Sequence, residues 1–260
     1  MAQWYADHLE LEARPLDGGR TWMAGAQRHL VLEPGSGHGL GFVAYALGDA
    51  DQVGRLDEEL AAKSVARSPV RSPIFSDAQL SVVDPDGNVF VFGVPPDAVS
   101  SAYATSDRLP GRLQHVGIAT TDIDRLRGFY TDALGYRPSD IVRNDDGAVS
   151  ACFLRCDREH HALALFAASS ARFDHQCYET SCWNDIRDWG DHAAAQRTEI
   201  EWGAARHGAG NNLFIFIRDP DGIPVEFSAE LEERPYDSPP GEWKTEARTL
   251  NLWGSAWERT

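Results

Sequence analysis

Residues Arg206 to Leu231 read R-H-G-A-G-N-N-L-F-I-F-I-R-D-P-D-G-I-P-V-E-F-S-A-E-L. A Gly-rich loop leads into a β-rich run, Leu213 to Ile217, then a tight turn and a second strand. The turn is Asp219-Pro220-Asp221-Gly222: proline presets φ, aspartate can bond its own backbone, and glycine accepts positive φ. Beyond it Ile223, Val225 and Phe227 alternate with Pro224, Glu226 and Ser228, so a carboxylate stands mid-strand among apolar neighbours. Either Glu226 faces solvent from a half-exposed sheet, or it meets a cation or a metal, because burying it unpaired is costly.

The same turn occurs earlier. Asp-Pro-Asp-Gly stands at 84–87 as well as 219–222, and each copy lies between β-rich runs. Trp4-Tyr5-Ala6-Asp7-His8-Leu9 echoes Phe129-Tyr130-Thr131-Asp132-Ala133-Leu134, and His29 to Leu32 more weakly echoes His161 to Leu165. Fixed-order echoes of this kind mark a tandem duplication of a unit slightly over about 100 residues long. The expected class is α+β, with tandem βαβββ modules.

In the second copy, Leu113 to Thr120 alternates as a strand, and Thr121-Asp122 caps a helix that Gly135 stops. Strands are expected near 149–155, 162–166 and 173–180, a helix over Asp185 to Arg197, and then the hairpin. The first copy has no equivalent of Leu113–Gly128. A start upstream of Met1 is preferred to a shortened variant, and the missing strand would leave a sheet edge for another subunit or the C-terminal tail to cover. A Pro-, Ser- and Ala-rich linker, 95–111, joins the copies. The expected domains are 1–108, 109–232 and a tail, 233–260, whose Trp243, Trp253 and Trp257 pack back as an arm.

The 260 residues carry a net charge of −16, which argues against nucleic acid and anionic membrane as partners. The N-terminus has no basic n-region or apolar h-region, and no apolar run reaches the length of a membrane span. Cys152, Cys156, Cys177 and Cys182 form no C-x-x-C pair, so free thiols in a cytoplasmic protein are expected.

His115 shares a strand face with Gly117 and Ala119, which leave room beside the imidazole, and His175 lies in the strand-like R-F-D-H-Q-C-Y-E. With Glu226 they make two imidazoles and a carboxylate on three strands, the facial set of non-haem Fe(II) sites. The first copy acts as an internal control. Seven residues after the first Asp of the turn stands Glu226 in one copy and Val91 in the other, and the place of His175 falls near Phe42 or Val43. That points to a metal in the second module only. His161, at a strand start, and His207, in the Gly-rich loop, are candidate acid–base groups. His160 reads as a surface residue, and His8, His29, His38 and His192 carry no functional signal.

Four segments, L-Q-H-V-G-I-A-T-T-D-I-D-R-L-R-G-F-Y-T-D-A-L-G-Y, F-L-R-C-D-R-E-H-H-A-L-A-L, R-H-G-A-G-N-N and D-P-D-G-I-P-V-E-F, together resemble type I extradiol ring-cleavage dioxygenases of the vicinal oxygen chelate superfamily. The resemblance is strong over 112–231, and residues 1–95 resemble that family's non-catalytic N-terminal domain without its start. It implies paired modules curling into barrel-like domains around a metal. The ligands it implies are His115, His175 and Glu226, with Fe(II) the expected ion and Mn(II) the minority choice. His161 would handle oxygen and proton, His207 would bond a substrate oxygen, and Asn211 and Phe216 would lie at the substrate. The implied partners are a catechol and O₂, in a homo-oligomer active in aromatic-compound degradation. One departure stands out: the family usually has tyrosine where this chain has Phe216. Another metal-dependent enzyme of the superfamily, a lyase or isomerase, and a non-enzymatic binder of aromatic compounds are the alternatives.

Overall fold

The structure is a computed structural model that describes residues 1–25, 27–35, 39–95 and 109–256. His38 and Trp257, and most of the linker, lie outside these residues.

The first half opens with helix α1 (Ala2–Leu9) and strands β1 (Glu12–Pro15), β2 (Thr21–Ala24) and β3 (His29–Leu32), which form an antiparallel sheet. It continues with β4 (Val43–Ala46), α2 (Ala50–Ala62), β5 (Gln79–Val83) and β6 (Val89–Gly93), the three strands forming a second sheet in the order β4-β6-β5.

The second half runs β7 (Arg112–Thr120), α3 (Ile123–Gly128), β8 (Arg137–Arg143), β9 (Val149–Arg155) and β10 (Leu163–Ala167). After these come β11 (Arg172–Thr180), α4 (Trp183–Ala195), β12 (Trp202–Arg206), β13 (Leu213–Arg218) and β14 (Pro224–Ala229). The tail supplies β15 (Gly241–Lys244) and a short helix, α5 (Ala247–Leu250). All nine strands β7 to β15 form one open sheet, in the order β12-β13-β14-β11-β7-β10-β9-β8-β15.

The duplication shows in the pairing. Parallel β4 and β6 match Ala44 to Val91, and parallel β11 and β14 match Cys177 to Glu226. The place of His175, two residues before Cys177, is therefore that of Phe42. Both turns form as their chemistry dictates. Asp84 Oδ1 accepts from the backbone of Asp86 and Asn88, Asp219 Oδ1 from that of Asp221 and Ile223, and Gly87 and Gly222 sit at φ 91° and 83°.

In the second half, β7 lies between β10 and β11 and joins the two wings of the sheet. No described strand of the first half takes that place, so its two wings stand as separate three-stranded sheets. Each wing packs on the other half. One core places β4, α2, β5 and β6 against β7–β10 and α3, through Leu60, Phe90, Ile118, Leu126 and Leu165. The other places α1 and β2 against β11, β13, β14 and α4, through Leu9, Met23, Trp189, Ile215 and Phe227. Each such fully buried aliphatic or aromatic side chain contributes about 1.5–3 kcal/mol. Buried hydrogen bonds seal both seams: Tyr5 Oη donates to Asp219 Oδ2 at 2.9 Å, and Tyr130 Oη to Asp84 Oδ2 at 2.7 Å.

With one sheet face committed to these cores, the alternating residues of β7, β9, β10, β13 and β14 point inward, where the curled sheet covers them too. Glu226 is 1% exposed, although it lies opposite the core-facing Val225 and Phe227. The solvent-facing alternative for this carboxylate is thereby removed.

Several local expectations are corrected. The helix capped by Asp122 (Oδ1 to Arg125 N, 3.1 Å) gives way at Phe129 to a π-helical turn over Phe129–Ala133, before Gly135 at φ 74°. Strand β8 and helix α2 were not anticipated, and the Gly-rich loop begins as strand β12. Trp243 packs back as expected, but Trp253 stays 56% exposed, edge-on to Trp183. No described helix is long and apolar enough to cross a membrane, and all four cysteines are free.

Candidate metal centre

Three adjacent strands, β7, β11 and β14, each bring one residue to the inner face. The Nε2 atoms of His115 and His175 are 3.1 Å apart, and Glu226 Oε2 lies 3.4 Å from the first and 3.5 Å from the second. Glycine at 117 makes this approach possible, because a Cβ there would lie 2.3 Å from His175 Nδ1.

The outer nitrogens of both rings are engaged. His115 Nδ1 is 2.6 Å from Gln114 Oε1, and His175 Nδ1 is 2.6 Å from Asp174 Oδ1. Each bond takes the proton of a neutral ring, so both Nε2 lone pairs face one another and the carboxylate. Burial pushes the His115 imidazole down to about 4, against the pull of Glu226. Burial alone would raise the Glu226 carboxyl, but the bonds and charge of His115 and His207 outweigh it and hold it well below the usual range. Three lone-pair donors 3.1–3.5 Å apart repel one another unless a cation lies between them. Their spacing is that of neighbouring corners of a coordination polyhedron with bonds of about 2.1 Å. The residues therefore fit a divalent metal.

Cys177 Sγ also lies within 4.8 Å of His115 and Glu226 donor atoms. Its proton goes to Ser228 Oγ at 3.2 Å, and burial pushes the thiol well up. His175 Nε2, at 3.1 Å from His115 Nε2 and 3.5 Å from Glu226 Oε2, is the nearer third donor.

The remaining sequence candidates gather around these three, with one exception. The His161 ring lies 4.2 Å from that of His115, centroid to centroid and tilted by 52°, and burial drives its imidazole well below its ordinary value. His207 Nε2 is 3.4 Å from Glu226 Oε1, while its Nδ1 donates to the Leu250 carbonyl at 2.5 Å and its ring lies flat on Phe214. Phe216, opposite Glu226 in the β13–β14 register, lines the same cavity. Asn211 does not reach it: the residue is exposed, at φ 55°, with its carbonyl bound to Arg206. Its neighbour Asn212 is fully buried and directs Nδ2 to Glu226 Oε1 at 3.3 Å, leaving Oδ1 with no partner among the described residues. Phe153, Phe166 and Leu250 close the cavity walls, so the tail forms part of the site.

Sequence reasoning missed two groups. Gln114 and Asp174 immediately precede the paired histidines, and the only trace of their role is the pair of dipeptides Gln-His and Asp-His. His160, read as a surface residue, is fully buried, and bonds to Asp140. Its position beside His161, at a strand start, was the available signal.

Residues 112–227 match the family model of the glyoxalase/bleomycin resistance protein/dioxygenase superfamily. That match takes in a little under half of the chain. Metapyrocatechase 2 of Cupriavidus necator is 27% identical over 237 residues, covering 83% of this chain and 72% of that protein. A manganese-dependent 2,3-dihydroxybiphenyl 1,2-dioxygenase of Geobacillus genomosp. 3 is 29% identical over 124 residues, 47% of this chain and 38% of the relative. Among solved structures, homoprotocatechuate 2,3-dioxygenase from Arthrobacter globiformis superposes with a TM-score of 0.81 at 24% identity, covering 97% of this chain and 82% of that one. The last likeness supports the fold found here: α+β, with two modules.

Proposed function

We propose that the protein is an extradiol dioxygenase, which opens the ring of a catechol beside its two hydroxyls and adds both atoms of O₂. The product is a hydroxymuconic semialdehyde. The observation that carries this reading is the convergence of His115, His175 and Glu226, with both Nδ1 atoms already engaged. Two imidazoles and one carboxylate on one face suit Fe(II) and leave adjacent positions for two reactants. The manganese-dependent relative makes Mn(II) the alternative ion.

The metal would hold the diol oxygens and O₂ together and pass charge between them. The chain's own groups do the rest. His207, fixed by the Leu250 carbonyl and by Phe214, presents Nε2 beside Glu226 to bond a substrate oxygen. His161, on the His115 side, is neutral and takes and returns a proton on the oxygen side. Phe153, Phe166 and Phe216 exclude water from the ring-binding space.

In this reading residues 109–232 are the catalytic domain, 1–108 the supporting domain, and 233–260 a tail on the catalytic domain. A homo-oligomer is expected, to be checked by light scattering. Anaerobic loading with Fe(II), and in parallel with Mn(II), followed by O₂ and a panel of catechols, tests the activity. Equimolar O₂ uptake with a yellow product is expected, and no uptake with any catechol sinks the reading. Phe216 favours a second reading, a superfamily lyase or isomerase, because the cavity wall carries no hydroxyl at that position. Phe216→Tyr distinguishes them. A new bond to an ionised substrate oxygen adds about 1.5–3 kcal/mol, so ring-cleavage kcat/KM should rise about tenfold or more. Unchanged kinetics would place residue 216 away from the substrate.

A further inference from the structure

Behind His161 lies a row of buried polar groups that the metal centre does not use. Asp140, on β8, is 3% exposed and accepts three bonds from three parts of the chain. Its Oδ2 takes the Nε2 proton of His160 at 3.0 Å and the indole Nε1 proton of Trp243 at 2.8 Å, and its Oδ1 takes Arg234 Nη1 at 3.0 Å. His160 is fully buried, and its other nitrogen, Nδ1, lies 2.9 Å from Nδ1 of His161. The row runs Asp140, His160, His161, and then the cavity.

Each bond in the row constrains the next. Burial alone would raise the Asp140 carboxyl, but the bonds from His160 and Trp243 and the charge of Arg234 outweigh it and keep it ionised. An ionised carboxylate only accepts, so His160 Nε2 must carry a proton. Arg234 already balances the Asp140 charge. A neutral His160 protonated on Nε2 has a bare Nδ1, which can only accept. The proton between the two rings then belongs to His161 Nδ1, and His161 Nε2 is left bare.

We propose that Asp140 and His160 are positioning residues that fix the tautomer and orientation of His161, so that it meets the reacting oxygens as a proton acceptor at Nε2. This rests on the reading of His161 as the acid–base group. It also gives the tail a chemical task, because Trp243 and Arg234 hold the far end of the row.

Two measurements on the full chain test it. The first needs no turnover: ¹⁵N spectra of histidine-labelled protein, loaded with diamagnetic Zn(II), with the His161 signals assigned by their loss in His161→Gln. A neutral His161 protonated on Nδ1 is expected, and Asp140→Asn, which preserves shape, should shift it towards Nε2 protonation. A His161 protonated on Nε2 in the unaltered protein overturns the proposal. The second is steady-state kinetics of the Fe(II)-loaded enzyme. Asp140→Asn should lower kcat by about 10²-fold with little change in the catechol KM. His160→Asn, which keeps a carbonyl acceptor, should retain more activity than His160→Phe. Equal losses in the two His160 variants, or an Asp140→Asn kcat near that of the unaltered enzyme, would also overturn it. If the unaltered protein cleaves no catechol, the functional reading fails while the spectra still decide the tautomer.

Discussion

The hairpins β5–β6 and β13–β14 have the same turn and the same antiparallel pairing, and each has a parallel neighbour strand, yet among the described residues only the second places a carboxylate beside two imidazoles. Val91 and Phe42 stand where Glu226 and His175 stand. The scaffold is therefore indifferent to the ligands. A β-turn and an apolar outer face suffice to build the hairpin, and the donors are additions to its inner face. The second difference is β7, which contributes His115 and joins the wings of the nine-stranded sheet, with no described counterpart in the first half.

The most severe test makes the second hairpin a copy of the first. Glu226→Val installs the residue found at position 91, removes the proposed carboxylate ligand and leaves two buried imidazoles with lone pairs opposed. Metal affinity should fall by at least about 100-fold, more than is usual for losing a supporting partner. Ring cleavage should fall to background, while the fold persists as it does around Val91. Elemental analysis after dialysis, with circular dichroism beside it, checks both. Retention of metal would show that the carboxylate is not a ligand.

A milder test acts on the space that β7 leaves. Gly117→Ala places a methyl 2.3 Å from His175 Nδ1, so the ring must move and its bond to Asp174 must loosen. About a 10–100-fold loss of metal affinity is expected, with an overpacking cost of about 1–3 kcal/mol. Gly128→Ala is the control, because its added methyl meets open space in a helix and should stabilise by about 0.5–1 kcal/mol. Chemical denaturation and metal titration of both variants separate the effects.

The smallest effects concern the seams. Tyr5→Phe takes from Asp219 Oδ2 the tyrosine that bonds it and also leaves Gln176 Nε2 without its acceptor. Tyr130→Phe leaves Asp84 Oδ2 still bonded to Asn88 Nδ2 at 2.8 Å. The first should cost about 2 kcal/mol and the second about 1 kcal/mol, within the range for buried groups that lose a partner. Denaturant midpoints decide the order, and the reverse order would show that the two seams are not built alike.

The duplication, the two turns and the strands bearing His115, His175 and Glu226 were legible in the sequence because each rests on local chemistry or on a repeated spacing. Turn glycines announce themselves, and a carboxylate among β-branched residues is anomalous wherever it occurs. Three things were not legible: the first two depend on contacts between separate segments of the chain, and the third on a local backbone conformation. Strand β8, R-P-S-D-I-V-R, has proline and charge where a strand pattern asks for alternation, and it forms because β9 and the tail strand β15 pair with it. His160 looks polar and exposed, but it is buried because Asp140, some twenty residues earlier, receives its proton. Asn211 and Asn212 cannot be told apart by composition. The left-handed backbone at Asn211 decides which of them faces the cavity.

The two tyrosine–aspartate bonds join Tyr5 of the first half to Asp219 of the second, and Tyr130 of the second to Asp84 of the first. Each half thus carries one donor and one acceptor for the same contact, used in both directions. That is the signature of an isologous interface, the kind that relates two copies by a two-fold axis. In symmetry terms the chain is a dimer written in tandem. Because the copies are linked, neither has to match the other: one has the plain inner face and the other the donors.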